Sequence, residues 1–269
     1  MNETSAFQYI IDLIYERSGI RLHDGKRELI KARLGKRMRL HGFAELTGYC
    51  EFLQGCDDED ELTQVVDSLT TNFTHFLREE DHLKFMVAKA LPEVLANNRK
   101  PFKVWCAACA SGEEAYSIGM YLSEHFSTAN GWDWSVLATD ISTKALGFAT
   151  QGIYPAQKLG PLPPQWQRSY FQRGHNKWEG HYRIKPELAE RIVFKQINLL
   201  KSYDFNDRFA VIFCRNVMIY FDRPTQESLM NHLSQYLVPG GYLIVGHAES
   251  LTGLSVPLQR VSPSIYRKA

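Results

Sequence analysis

The sequence predicts an α/β protein built on a doubly wound, mostly parallel sheet. Three observations carry that expectation. Residues 104–107 (VWCA) form an apolar run that passes through the small-residue turn Ala110-Ser111-Gly112 into a helical stretch opened by Glu113 and Glu114. Residues 136–140 (VLATD) form a second apolar run, and it ends in an acid. After a broken middle segment, apolar runs and a helical pattern alternate again at residues 192–196, 210–214 and 224–237. Small residues let the backbone approach a ligand, and an acid at a strand end accepts from ribose hydroxyls, the order of a nucleotide-binding half-sheet. Only Gly112 is present where a dinucleotide fold needs GxGxxG, so a nicotinamide dinucleotide is disfavoured.

The elements follow in order. Phe7, Ile10, Ile11 and Ile14 sit at helical spacing, and Gly19 breaks that helix. A second helix runs from about Gly25, with Leu29, Ile30, Leu34 and Met38 on its apolar face, and Gly42 ends it. Residues 43–53 read as a third helix, the acidic run Asp57 to Glu61 as the turn after it, and residues 62–69 as further helix. A short unit, residues 70–79, precedes a helix over 80–96 with Leu83, Phe85, Met86, Leu91 and Leu95 as apolar positions. Arg99 to Pro101 is a polar lead into the strand 102–107. Then come helix 113–126, strand 134–139 and helix 142–149. Residues 151–191 break the rhythm with prolines, glycines and two short extended candidates, 169–172 and 181–184, and read as an insertion. Pro239-Gly240-Gly241 reads as a turn that stops the helix 224–237 and starts strand 242–246, and residues 264–267 as an antiparallel edge strand.

The chain has 269 residues, 44% hydrophobic and 23% charged, with a formal net charge of +1. That balance excludes a polyanion binder acting through its whole surface. The charge is uneven, however: residues 21–41 are strongly basic and residues 57–61 are all acidic, which suggests a local electrostatic contact. No apolar run reaches membrane-spanning length and the first residues lack a basic region before an apolar core, so a cytoplasmic location is expected. Cys106 and Cys109 match C-x-x-C, but there is no second pair to complete four zinc ligands, so buried strand-end cysteines and no metal are expected.

Six stretches now carry a family resemblance: NFTHFLRE (72–79), CASGEEAYSIGMYL (109–122), ATDIS (138–142), INLL (197–200), FCRNVMIYFD (213–222) and VPGGYLIVGHAES (238–250). In this order and spacing the chain resembles the chemotaxis receptor methyltransferase family, CheR, over essentially its whole length. The resemblance implies a class I S-adenosylmethionine-dependent methyltransferase with a seven-stranded sheet, an N-terminal helical domain (1–70), a linker and cofactor-contacting helix (71–100), and a catalytic domain (101–269). A small antiparallel β-subdomain would be inserted at about 151–191. It implies transfer of methyl from S-adenosylmethionine to receptor glutamates, giving methyl esters and S-adenosylhomocysteine.

On that reading Arg78 suits the cofactor carboxylate, because a guanidinium holds it bidentately; the alternative is a surface ion pair with Glu79, Glu80 or Asp81. Asn72 and Thr74 would reach the cofactor tail or order the loop. Glu114 would accept from the cofactor amino group, whereas Glu113 fits a plain helix N-terminal acid. Asp140 is expected at the ribose, with an N-cap as its alternative. The comparison brings Asn198 and Leu199 to the adenine, and Arg215 and Asn216 to the strand end facing the ligand. Tyr220 is placed beside the reacting methyl, the alternative being a core aromatic. The acceptor carboxylate, with an ordinary pKa of about 4.3, is already ionised and needs no general base; alignment and removal of water dominate.

The resemblance also implies that the basic helix, through Arg33, Lys36, Arg37 and Arg39, docks on the cytoplasmic domain of a methyl-accepting receptor. In some family members the β-subdomain tethers the receptor's C-terminal tail by strand addition. A monomer is expected, binding no nucleic acid and inserting in no membrane. Two rivals remain: a nucleic-acid or small-molecule methyltransferase holding phosphates on the basic helix, and a non-catalytic receptor-binding module. Against the first stands the lack of an Asp/Asn-Pro-Pro-aromatic motif; against the second, the intact Arg78, Asp140, Asn216 and Tyr220.

Overall fold

The computed structural model describes residues 1–22, 24–96, 101–126 and 133–269. Arg99 and Lys100 of the expected polar lead lie outside the described residues. Four helices open the chain: α1 (Glu3–Ser18), α2 (Arg27–Leu40), α3 (Leu46–Gln54) and α4 (Glu59–Leu69). Asn2 caps α1 by accepting from the Ser5 amide, and Gly19, at φ 70°, ends it in the left-handed conformation that glycine adopts without cost. Phe7, Ile10 and Ile14 of α1 pack with Ile30, Leu34 and Met38 of α2 and with Tyr49, Leu53, Leu62, Val65 and Leu69 in one core. Leu29 leaves the expected apolar face: it is exposed.

The acidic run is divided rather than forming one turn. Asp58 is the N-cap of α4, accepting from the Asp60 and Glu61 amides, and Glu59, Asp60 and Glu61 form the first helical turn. Acids there complement the helix dipole. Glu61 is buried and pairs with Arg37 and Tyr49, so part of the charge asymmetry between the two segments is consumed inside the helical unit.

The helix expected over 80–96 is present in pieces: α5 (Glu80–Phe85), a π-helical stretch (Met86–Ala90) and α6 (Leu91–Ala96). Then follow β1 (Phe102–Ala107), α7 (Glu113–His125), β2 (Trp134–Asp140) and α8 (Thr143–Gln151). The insertion holds β3 (Ile153–Pro155), α9 (Pro164–Tyr170), β4 (Phe171–Arg173) and β5 (His181–Ile184), and its sheet has the antiparallel order β3-β5-β4. Ser169 and Tyr170, expected in an extended segment, end α9 instead, because Pro164 starts a helix just inside its N-terminus.

α10 (Pro186–Ala189) leads to β6 (Ile192–Gln196), β7 (Phe209–Cys214), α11 (Arg223–Gln235), β8 (Leu237–Val245), β9 (Leu258–Ser262) and β10 (Ile265–Lys268). The seven-stranded sheet has the order β6-β2-β1-β7-β8-β10-β9. The first five strands are parallel; β10 runs antiparallel to both neighbours. Two expectations are corrected here. Pro239, Gly240 and Gly241 lie inside β8, where the register shifts between Phe209 and Val211, so they form an irregularity within the strand and not a turn before it. The edge strand is β9, with β10 one place inward; β9 is polar and mostly exposed, so no apolar alternation announced it.

Strand order reverses between β1 and β7: the chain proceeds outward through β2 and β6 on one side and through β8 on the other. A crevice forms at the carboxyl ends of strands at such a switch point, and ligands of open α/β sheets bind there.

Candidate active site

The carboxyl ends of β1, β2 and β7 open into a cleft enclosing about 770 Å³, part of it open to solvent. Asn72, Thr74, Arg78, Glu114, Asp140, Asn198, Leu199, Arg215, Asn216 and Tyr220 all line it, so every residue expected at the cofactor or the reacting methyl is brought to one place.

The backbone around the cleft is strained in a way rare elsewhere. Among the described residues seven non-glycines have positive φ; Ala108 and Ala110 of the turn after β1 and Asn216 after β7 line the cleft, and Leu77 and Glu79 flank the lining Arg78. Such outliers persist only where the surroundings over-determine them, and they gather at functional sites. Gly112 completes the turn at φ 94°; a side chain there would meet Ala149 Cβ at 2.8 Å. The turn is thereby packed directly on α8.

The charged groups in the cleft are held by one another. The buried Arg215 guanidinium lies 3.1 Å from Glu114 Oε2, donates to the Arg78 carbonyl at 2.7 Å, and lies 3.4 Å from His82 Nδ1. Burial pushes the Glu114 carboxyl up, against the pull of Arg215. Burial, with Arg215 beside it, drives His82 down to about 4. Glu79, His82 and His247 bring ligand-type atoms within 4.8 Å of one another, but the guanidinium of Arg215 already supplies positive charge at that point.

Asp140 accepts from the Ala110 amide at 2.8 Å and the Ser142 amide at 2.9 Å. It is not the N-cap of α8: Ser142 is, accepting from Ala145. Burial raises the Asp140 carboxyl and the two amides oppose the rise. Each oxygen keeps a further lone pair. Glu113, expected to be a plain helix N-terminal acid, is fully buried and pairs with Lys158 of the insertion. Arg78 makes no ion pair with Glu79, Glu80 or Asp81; its guanidinium donates to the Phe73 carbonyl at 3.1 Å. Tyr220 is half-buried on a short 3₁₀ turn and is not a core aromatic.

Asn198 departs most from expectation. Its amide nitrogen donates to the Arg17 carbonyl at 2.6 Å and its oxygen accepts from the Leu200 amide at 3.0 Å, so its first task is to tie this loop to α1. Asn72 donates to Ser142 Oγ at 3.1 Å, fastening the 70–79 unit to the end of β2.

Among the described residues, three buried polar atoms of cleft-lining side chains have no hydrogen-bond partner: Thr74 Oγ1, Asn216 Oδ1 and Arg215 Nε, the last facing Glu79 at 4.0 Å. A buried polar group without a partner costs about 1–3 kcal/mol, so Thr74 Oγ1 and Asn216 Oδ1 are places where a polar ligand is expected to bind. With Arg78 at one end and Asp140 at the other, the wall fits a zwitterionic nucleoside ligand.

Glu249 was missed as a site residue, although it lies in the quoted VGHAES stretch. Its buried carboxylate accepts from the amides of Asn216 (2.7 Å), Gly246 (2.7 Å) and Ile219 (3.3 Å), which fixes the segment carrying Asn216 and Tyr220. Gly246 is needed beside it, since a Cβ there would lie 2.5 Å from Asn216 Nδ2. The available signal was an acid four residues past a strand of apolar residues.

Two of the four basic residues expected to meet the receptor are also tied into the helical unit. Arg33 donates to the carbonyls of Leu69 (2.9 Å) and Thr70 (3.1 Å), and Arg37 pairs with the buried Glu61. Lys36 and Arg39 are exposed. α2 thus supplies cations both to close the helical unit and to face outward.

Residues 72–266 match the family model described as CheR methyltransferase, SAM binding domain, and residues 5–70 match CheR methyltransferase, all-alpha domain. The chain is 40% identical to the chemotaxis protein methyltransferase of Escherichia coli K12, over 92% of this chain and 85% of the relative. Its Salmonella typhimurium counterpart is 39% identical over 92% and 84%. The Borreliella burgdorferi protein of the same name is 34% identical over 96% and 92%. A magnesium protoporphyrin IX methyltransferase structure from Synechocystis is a distant likeness, 15% identical over 74% of this chain and 66% of its own, with TM-score 0.34. The chain belongs to the CheR methyltransferase family.

Proposed function

We propose that this chain methylates glutamate side chains of chemotaxis receptors, with S-adenosylmethionine as methyl donor and S-adenosylhomocysteine as product, and that the cleft beyond β1, β2 and β7 is where it does so. The observation that carries the assignment of the site is the convergence of Arg78, Thr74, Asp140 and Asn216 on one cleft where Thr74 Oγ1 and Asn216 Oδ1 are left unpartnered. In this reading residues 1–70 are the helical domain, 71–100 the linker and cofactor-contacting helix, and 101–269 the methyltransferase domain with its insertion at 151–191.

S-adenosylmethionine, when bound, supplies an electrophilic methyl group on a sulfonium. Arg78 holds the cofactor carboxylate, and Thr74 and Asn72 hold its amino-acid end together with Glu114. Asp140 accepts from the ribose, while Asn198 and Leu199 border the adenine, Leu199 by packing. Arg215 acts through Glu114 and the Arg78 carbonyl, keeping both in place. Asn216 meets the cofactor with its free Oδ1, and Tyr220, set in the same segment by Glu249, faces the acceptor. The acceptor carboxylate arrives ionised, so the chain need not remove a proton. Tyr220 and Arg78 orient it, and the cleft excludes water from two opposite charges that the reaction neutralises. One copy contains every cleft residue, which supports action as a monomer, in the cytoplasm where a receptor's methylated domain lies. Among the described residues no helix is long and apolar enough to cross a membrane. The insertion is the place where a receptor tail would add a strand.

The test is transfer of labelled methyl to receptor-containing membranes followed by mild alkali. Label released as methanol supports a carboxyl ester. Alkali-stable label on receptor would move the reaction to nitrogen and refute the acceptor assignment.

A further inference from the structure

A second, larger depression lies beside the cleft. It is an open depression of about 1870 Å³, solvent-filled space included, lined by α2, α4, α8 and the insertion. Arg33, Lys36, Arg37, Lys144 and Lys158 line it, and Asp67 is the only carboxylate among its lining residues. Asp67 is engaged through Oδ2 alone, which accepts from Thr143 Oγ1 at 2.6 Å and from the Lys144 amide at 3.1 Å, while its buried Oδ1 has no partner. Arg37 and Lys158 are paired with Glu61 and Glu113, so the groove's positive excess over Asp67 comes from Arg33, Lys36 and Lys144. Lys36 and Lys144 are exposed and, among the described residues, are in no ion pair.

The groove is also apolar in places where water would otherwise be the only neighbour. Phe148 of α8 is 53% exposed and Trp178 of the insertion 44% exposed, and both line the groove. Lys144 and Phe148 are four residues apart on α8, so they share one face of that helix. Lys36 stands between Arg33 and Arg37 on α2, again at helical spacing. Two walls that present side chains at such spacings leave the kind of channel into which the ridges of a third helix fit. Thr70 and Asn72 line both the groove and the cleft, so an occupant of the groove passes the mouth of the reaction site.

We propose that α8, through Lys144 and Phe148, is the second wall of the substrate-docking groove: Lys144 meets an acid and Phe148 an apolar side chain on one acidic amphipathic helix of the partner, the helix that carries the acceptor glutamate. This rests on the functional reading above and deepens it, because it assigns recognition to a helix of the catalytic domain in addition to α2. It also states what the acceptor helix must look like. An acid and an apolar residue must recur at spacings of three or four around the methylated position, since a helix lacking the apolar one leaves Phe148 in water.

The test uses the full chain and a receptor cytoplasmic fragment. Lys144→Glu and Phe148→Ala are made separately and together; both positions are exposed, so folding is preserved. The expected result is a KM for receptor raised about tenfold in the double variant, with kcat and S-adenosylhomocysteine affinity each within about twofold of wild type. A photoreactive residue at position 148 is expected to crosslink to the acceptor helix. Wild type that methylates the receptor while the double variant keeps its KM overturns this inference alone, as does a crosslink confined to the receptor's tail. Wild type that labels no receptor carboxyl overturns the functional reading, and this inference with it.

Discussion

The cleft and the groove use charge in opposite ways. In the cleft, Arg215, Glu114, Asp140 and Glu249 are buried and each is held by a protein partner, a fixed arrangement suited to positioning a small ligand. In the groove, Lys36, Lys144 and Phe148 are exposed, an arrangement suited to a large partner that arrives and leaves. Paired buried charges fix geometry and are costly to disturb; exposed cations steer association and are screened by salt. Damage to the cleft is therefore expected to appear in chemistry and folding, and damage to the groove in KM.

The largest effect is expected from Arg78→Ala. Loss of a charge-assisted hold on a carboxylate in the cleft should lower kcat/KM by about 1,000-fold, about 4 kcal/mol, with melting temperature nearly unchanged. An equal loss in melting temperature would recast Arg78 as structural.

The next concerns pH. His82 is fully buried with its pKa lowered from 6.5 to about 4, so between these values the unfolded chain binds a proton that the folded chain refuses. Stability should then rise with pH across that window and be lost as pH falls from about 6.5 through about 4, by an amount on the order of 3 kcal/mol. His82→Asn should flatten this part of the profile in denaturant titrations. An unchanged slope would contradict the burial argument.

The basic helix divides next. Arg37→Ala strands the buried Glu61 and should cost about 2 kcal/mol of stability. Lys36→Glu with Arg39→Glu should leave stability within about 0.5 kcal/mol but raise receptor KM about tenfold. Equal stability losses in both would erase the distinction between inward and outward cations.

The smallest effect is that of salt. Raising ionic strength from about 0.05 to about 0.3 M should raise receptor KM a few-fold and leave S-adenosylhomocysteine affinity nearly constant.

The cleft was legible in sequence and the groove was not, for a physical reason. Cleft residues come in short runs, at or just past a strand's carboxyl end, as with Asp140 closing β2 and Arg215-Asn216 after β7, or within the 72–78 segment, so short motifs report the site. The groove is assembled from α2, α4, α8 and the insertion, and only the tertiary packing places Lys144 across from Lys36. The same limit applies to α2. Periodicity shows that Arg33 and Arg37 are on the polar side, but the Leu69 carbonyl and Glu61 that claim them are distant in sequence. It explains Asn198 as well, whose partner Arg17 lies at the end of α1. Strand β9 escaped because an exposed edge needs no apolar alternation. The apolar runs inside the parallel strands, such as 104–107 in β1 and 210–214 in β7, were plain from the sequence, whereas the Pro-Gly-Gly irregularity hid the first half of β8.

The most direct measurement is a crystal structure of the chain with S-adenosylhomocysteine. The account predicts the ligand in the cleft, its carboxylate on Arg78, a ribose hydroxyl on Asp140, and Thr74 Oγ1 and Asn216 Oδ1 each within hydrogen-bond distance of it. A ligand seated in the groove, or one that leaves Thr74 and Asn216 still without partners, would contradict it.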